Sequence, residues 1–260
     1  MPVVLNSCGS LSAFSPQERS LATSTIRLKR LRGEDLFFLF MVTLILATVI
    51  IGFGQSYFLP GMVLAKLPNG LVHVHGALFV SWILLLVVQT VLVSVDRVRW
   101  HMQLGILGLV LAPLMVIIGT WTILDSIHRR GVPRVPQGAM LAGDLLELAF
   151  FSIFVTWGLL KRRDKVAHKR LMIFSTIAIL GPAINRWPFA FMASALAQGA
   201  FFLAFPALIV AYDLISVKRL HRSTLAGSLL IIFMVAAMLL VPSLAVWQQF
   251  TAWVQGTSWL

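Results

Sequence analysis

Long apolar runs, separated by short polar or basic stretches, recur along the whole chain after its first 35 residues. A helix rising 1.5 Å per residue needs roughly 20 apolar residues to cross ~30 Å of hydrocarbon. Seven runs are read as spans: about Leu36–Gly54, Leu71–Val95, Leu104–Leu124, Ala139–Leu160, Leu171–Ile184, Phe189–Val217 and Leu225–Trp247. The predicted fold is all-α, a polytopic seven-helix transmembrane bundle over residues 36–260, preceded by a cytoplasmic tail over residues 1–35. The fifth span is the weakest. Its run is short unless it starts near Val166, and "GPAINRWPF" (181–189) interrupts it with Pro182 and Pro188. Spans five and six are alternatively a broken helix or a re-entrant pair.

Composition agrees with a membrane solvent. The chain is 59% hydrophobic and 12% charged, about half the charge of a soluble domain. The net charge of +12 is distributed at helix ends and forms no separate basic domain, which argues against nucleic acid as a partner. With the N-terminus inside, the tail and the loops at 96–101, 161–170 and 218–222 hold 16 of the 21 Lys and Arg residues. The positive-inside rule then places the N-terminus in the cytoplasm and the C-terminus outside. The lone Cys8 supports no disulfide framework and no cysteine metal cluster. Residues 1–35 lack the apolar core of a secretory signal. Within them, Ser15-Pro16-Gln17-Glu18 reads as a capping box, followed by Leu21, Leu28 and Leu31 among Arg27, Lys29, Arg30 and Arg32. This segment is either a short amphipathic helix on the inner leaflet or a disordered basic tail.

Three spans begin on the cytoplasmic side with a related phrase: "RVRWHMQLG", "DKVAHKRLM" and "VKRLHRSTLAG". His101, His168 and His221 should therefore lie at similar depth. Three imidazoles suit a zinc or copper ion, and two on facing helices suit bis-histidine haem. Histidines at helix ends also occur as ordinary interface residues.

A second polar group falls in the outer half. Asp144 and Glu147, spaced i, i+3, share a face of span 4. Glu147 lies about 12 Å beyond Ala139 at 1.5 Å per residue. A carboxylate at such depth costs about 2.5–3.5 kcal/mol on insertion scales and marks a functional hypothesis. Arg186 is its nearest basic candidate, and an ion pair is the plainest reading. A metal site using His75, Asp144 and Glu147 is a second, and proton or substrate handling is a third. Asp125 and His128 end span 3, and Asn185 precedes Arg186.

In "NGLVHVHGALF" (69–79), His73 and His75 are two residues apart, which on a helix is about 200°. They cannot share one ion from a regular helix. Asn69 is the expected cap of a helix starting at Gly70. His75, Trp82 and Gln89 recur at intervals of seven and define the stripe expected to face the bundle. His73 is expected in the headgroup layer.

Taken in order, "LVHVHGALF" with Trp82 and Gln89-Thr90, "RVRWHMQLG", "AHKRLM" with "GPAINR", "AYDLISVKRLHRSTLAG" and "WQQFTAW" resemble a broad group of functionally unnamed bacterial seven-helix inner-membrane proteins. The resemblance covers most of the chain from span 1 onward. It implies a multi-pass protein of the bacterial cytoplasmic membrane and draws attention to His75, Gly76, Gln89, His101, Gly105, His168, Arg170, Arg186, Asp213 and His221. "HKRLM" is more loosely similar to membrane assembly factors of haem–copper oxidases. Diheme membrane cytochromes are similar in placing histidines at opposite helix ends, but here His73 and His75 lack an intramembrane outer partner.

Three functional readings follow. The first is a protein that binds haem b or a copper, zinc or iron ion, linked to respiratory redox chemistry or oxidase assembly. Its ligand candidates are His73, His75, Asp144 and Glu147 on the outer side and His101, His168 and His221 on the inner, supported by Trp82, Gln89, Arg186 and Asp213. A respiratory complex or a second copy of the chain would be its partner, beside the lipid bilayer. The second is a cofactor-free transporter or small-molecule binding protein using Asp144, Glu147 and Arg186. The third is a structural membrane subunit. No nucleophile–base phrase or phosphate loop indicates an enzyme, and the seventh span has no lysine for a retinal Schiff base.

Overall fold

The computed structural model of the 260-residue chain describes residues 32–61, 65–128 and 137–256. The tail segment from Ser15 and the lone Cys8 lie outside the described residues. Every regular element among those described is helical: α1 (Gly33–Phe53), α2 (Gly70–Ser94), α3 (Val98–His128), α4 (Gln137–Leu160), α5 (Lys165–Ala178), the single turn α6 (Gly181–Ile184), α7 (Ala195–Tyr212), α8 (Arg222–Leu240) and α9 (Ala245–Gly256). A wider π-type turn extends α1 through Phe58 and α7 through Val217.

Helix starts follow local chemistry. Asn69 caps α2, its side chain accepting from the Val72 N–H at 3.1 Å. Ser194 caps α7 through the Ala197 N–H at 3.1 Å. Asp164 caps α5, accepting from the Val166 and Ala167 N–H groups at 3.1 Å each. The hydrogen bond from Ala167 holds the Asp164 carboxyl below the usual carboxylate range. Its stabilisation is therefore complete above the unfolded value of about 4 and is lost as pH falls through the lower folded value. Asp164→Ala is expected to cost about 1 kcal/mol at neutral pH. Thermal denaturation in detergent should show this gap closing in strong acid.

Among the described residues, six helices are long and apolar enough to cross a membrane: Gly33–Phe58, Gly70–Ser94, Val98–Ile127, Gln137–Leu160, Ala195–Val217 and Arg222–Ser243. The fifth predicted span is not among them. Its helix has 14 residues, about 21 Å at 1.5 Å per residue, well short of ~30 Å. Pro182, with no N–H to donate, starts a new turn after Gly181 instead of prolonging the helix. The chain then runs irregularly to a 3₁₀ turn at Ala190–Ala193, so α7 begins at Ala195 and not at Phe189. The last predicted span also divides. Pro242 closes α8 in a 3₁₀ turn, and Trp247 belongs to the separate α9. Trp247 Nε1 donates to the Gly138 carbonyl at 2.8 Å, tying α9 to the start of α4.

The short α5 is the centre of the bundle. It packs against α1, α4, α7 and α8, and α2 and α3 complete the ring beside α1 and α4. Its sequence is mixed because its neighbours are protein. Arg170, Ser175 and Thr176 are buried beside Leu171, Phe174 and Ile177. The Trp82 indole of α2 donates to Thr176 Oγ1 at 3.0 Å inside the core. Phe154, Phe174, Phe151 and Met234 are fully buried around it, while Leu107, Ile117, Leu229 and Phe233 remain exposed on the outer faces, the pattern expected where lipid is the solvent.

Candidate functional site

The break after α5 is held from two sides. On one, α1 approaches so closely that a Cβ on Gly52 would lie 2.8 Å from the Ala183 carbonyl carbon and 2.9 Å from its Cα. Trp187, just beyond the break, donates from Nε1 to the Thr48 carbonyl of α1 at 3.2 Å. On the other, the buried Glu147 of α4 lays its carboxylate on Gly181: a Cβ there would overlap Glu147 Oε1 and lie 3.2 Å from Cδ. A carboxylate thus occupies the space that a side chain at 181 would take.

Around this point the polar residues predicted for the outer half converge. Asp144, one turn before Glu147, and Arg186, two residues after α6, interact electrostatically with each other and with Glu147. Arg186 also acts on His75. The expected direct ion pair is not formed. Arg186 donates from Nη1 to the Pro182 carbonyl at 2.7 Å and lies 5.0 Å over the Phe53 ring, within field range of both carboxylates. His75 stacks on Phe79 at 4.2 Å between centroids, and its buried Nδ1 has no hydrogen-bond partner. His73 points elsewhere, its ring 6.5 Å from that of Tyr57. Asp125 accepts from Asn69 Nδ2 at 2.9 Å, joining α3 to the start of α2.

A metal centre built from these groups is not supported. No group of three or more His, Cys, Asp and Glu side chains among the described residues is placed to hold an ion. His75, Asp144 and Glu147 share a region and not a coordination sphere.

At the opposite end of α5 the bundle is clamped by charge. Arg170 and Asp213, 2% and 0% exposed, pair through Nη2 and Oδ1 at 2.5 Å. Thr224 links them, accepting from Arg170 Nε at 3.0 Å and donating to Asp213 Oδ2 at 2.6 Å. The His221 N–H adds a bond to Asp213 Oδ2 at 3.0 Å, and Arg170 Nη1 donates to the Val166 carbonyl at 3.2 Å. Glu34 of α1 completes the cluster, 2.9 Å from Lys169 and 3.9 Å from Arg170. Four helices, α1, α5, α7 and α8, meet in one network.

The three histidines predicted for the cytoplasmic side part company. His221 caps α8, its Nδ1 accepting from the Ser223 N–H at 3.1 Å. It is committed to the backbone and does not join the other two, because its residue precedes the helix. His101 and His168 do face each other, with ring centroids 6.3 Å apart and planes at 82°. His168 Nδ1 bonds the Gly158 carbonyl at 2.8 Å. Gln89, from the His75–Trp82 stripe, is half-buried, and neither of its buried side-chain amide atoms is paired.

The residues not anticipated from sequence are Gly52, Gly181, Gly158, Thr176 and Thr224. Two signals pointed toward them: opposite charges (Arg170, Asp213) at the inner ends of two spans, and a glycine beside Pro182. No known family, curated protein or solved structure matches this chain.

Proposed function

We propose that the protein is a cofactor-free membrane transporter or small-molecule binding protein whose site is the Glu147–Asp144–Arg186–His75 cluster at the break after α5. One observation carries this reading: a buried carboxylate seated on a glycine where a helix too short to span gives way to irregular backbone. Non-helical backbone at membrane depth is tolerated where it is enclosed by protein or lines a water-filled cavity. Interrupted helices flank substrate sites in transporters for that reason.

The charges define the ligand class. Two carboxylates against one guanidinium leave one negative charge uncompensated, in surroundings where a lone charge is costly. A proton or a small cation neutralises it, and only one of them at a time. The site therefore exchanges protons for a small monovalent cation, such as an alkali ion or a primary amine. The distribution of Lys and Arg favours placing this site on the outer side of a bacterial inner membrane with α5 as the seventh crossing, as the resemblance implies.

Proteoliposomes loaded with a pH-sensitive dye test it. Small amines and alkali cations added outside the wild-type protein are expected to drive proton movement. Glu147→Gln, which keeps size and removes the charge, should abolish the response while leaving the folded yield unchanged. A wild-type protein silent to every cation, or a Glu147→Gln variant indistinguishable from it, defeats the reading. The redox and haem reading is supported by no described cluster; an absorbance spectrum of the purified protein with a Soret band would revive it.

A further inference from the structure

A separate site lies at the other end of the bundle and does not depend on the function proposed above. His101 of α3 and His168 of α5 face one another across 6.3 Å between ring centroids. The His168 ring is oriented by a main-chain carbonyl, its Nδ1 meeting the Gly158 oxygen at 2.8 Å. A carbonyl only accepts, so Nδ1 of His168 carries the proton and Nε2 of the neutral ring is left with a lone pair. On His101 the unpaired atom is Nδ1, buried and without a partner. One half-buried pair of rings thus holds a His168 tautomer fixed by a backbone oxygen and a His101 nitrogen without a partner. That is the arrangement that orients histidine ligands in metal sites.

Ligand number and charge select the ion. Two imidazoles bound to one ion place their ring centroids about 6 Å apart, from two bonds of about 2 Å and the ring radii. The observed separation is of that size. Structural zinc takes four ligands in a tetrahedron, and the described residues bring no third His, Cys, Asp or Glu to this point. Both ligands are neutral, so a divalent ion would keep its full charge in a low-dielectric region. A soft monovalent d¹⁰ ion loses less. Met172, one turn along α5 from His168, presses its sulfur onto Gly158, 3.0 Å from where a Cβ of that glycine would be, beside the carbonyl that holds His168 Nδ1.

We propose that His101 and His168 form a two-imidazole site for a soft monovalent cation, cuprous copper. Binding is simple coordination: two lone pairs are donated, no proton leaves either neutral ring, and the oxidation state does not change.

The test uses full-length protein in detergent, titrated anaerobically with Cu(I) in competition with a chromogenic cuprous chelator. One equivalent per chain is expected to transfer to the wild type. His101→Ala and His168→Ala should each weaken binding by about 100-fold or more, beyond the 10–100-fold typical of losing an outer-shell partner. His221→Ala, whose ring only caps α8, should bind as the wild type does. Because either test variant could fold poorly, X-ray absorption of the copper-loaded wild type is measured as well. A shell of two imidazole nitrogens, with or without one sulfur, supports the site. Failure of the wild type to compete with the chelator overturns it, as does full binding by the double His101→Ala/His168→Ala variant or a shell without imidazole.

Discussion

Asp213→Ala is expected to remove about 3–5 kcal/mol of stability, the cost of stripping one partner from a buried ion pair. Arg170, 2% exposed, would keep its charge with no full counter-ion. Glu34 sits 3.9 Å away with a side chain 35% exposed, and a contact of that kind contributes at most about 1 kcal/mol. Thr224 and the His221 N–H lose their acceptor at the same time, so the junction of α7 and α8 loosens together with α5. The informative comparison is Arg170→Met/Asp213→Leu. Replacing both charges by apolar groups of similar volume is often close to neutral, so the double variant should be clearly more stable than Asp213→Ala alone. Midpoints of thermal unfolding in detergent, followed by circular dichroism, decide it. If Asp213→Ala melts with the wild type, the clamp carries no net stability. If the double variant melts below the single one, Arg170 stabilises the junction through partners other than Asp213, such as Thr224 and the Val166 carbonyl.

The clamp also explains why a central helix can be so polar and so short. Burial of Arg170, Ser175 and Thr176 within α5 would be costly in lipid, but each meets protein: Asp213 and Thr224 for Arg170, the Met172 carbonyl for Ser175 at 2.7 Å, and Trp82 for Thr176. Hydropathy read along the sequence treats every position as lipid-facing. It therefore found the six helices with broad apolar faces, with ends displaced by up to six residues (Leu104 against Val98, Phe189 against Ala195), and described the seventh poorly. Pro182 and Pro188 announced the break after α5, but Pro242 lay within a run apolar enough to be taken as one helix with Trp247.

The sites were legible in parts. Helix geometry separated His73 from His75, and the interval of seven joined His75 to Trp82 and Gln89; the unpaired Nδ1 of His75, the Thr176 bond of Trp82 and the unpaired amide of Gln89 all lie in the bundle. The repeated phrase before α3, α5 and α8 suggested three equivalent histidines. It could not show that His221 precedes its helix by one residue and turns back to cap it, whereas His101 and His168 sit inside theirs. Nor could the spacing of Glu147 and Gly181, 34 residues apart in sequence, show a carboxylate resting on a glycine. That contact depends on α5 folding back along α4 and on the break stopping at the right height.

Gly52 and Gly181 line the same break, and the same substitution should affect them in opposite ways. At Gly52 an added methyl meets main-chain atoms of Ala183, including carbons at 2.8 and 2.9 Å. Backbone cannot rotate aside, so α1 must move away from the turn. Overpacking of this kind costs about 1–3 kcal/mol, while Gly→Ala inside a helix returns up to about 1 kcal/mol. The clash wins, and Gly52→Ala should lower the thermal midpoint. At Gly181 the methyl meets the end of the Glu147 side chain, which can swing to another rotamer. Gly181→Ala should therefore melt near the wild type yet lose cation-driven proton movement in proteoliposomes, as Glu147→Gln does, because the carboxylate is displaced from the break. A Gly181→Ala protein with full transport would mean that the seat of Glu147 is incidental. One that melts as low as Gly52→Ala would mean that the carboxylate is fixed in place as firmly as backbone, and its role would then be structural.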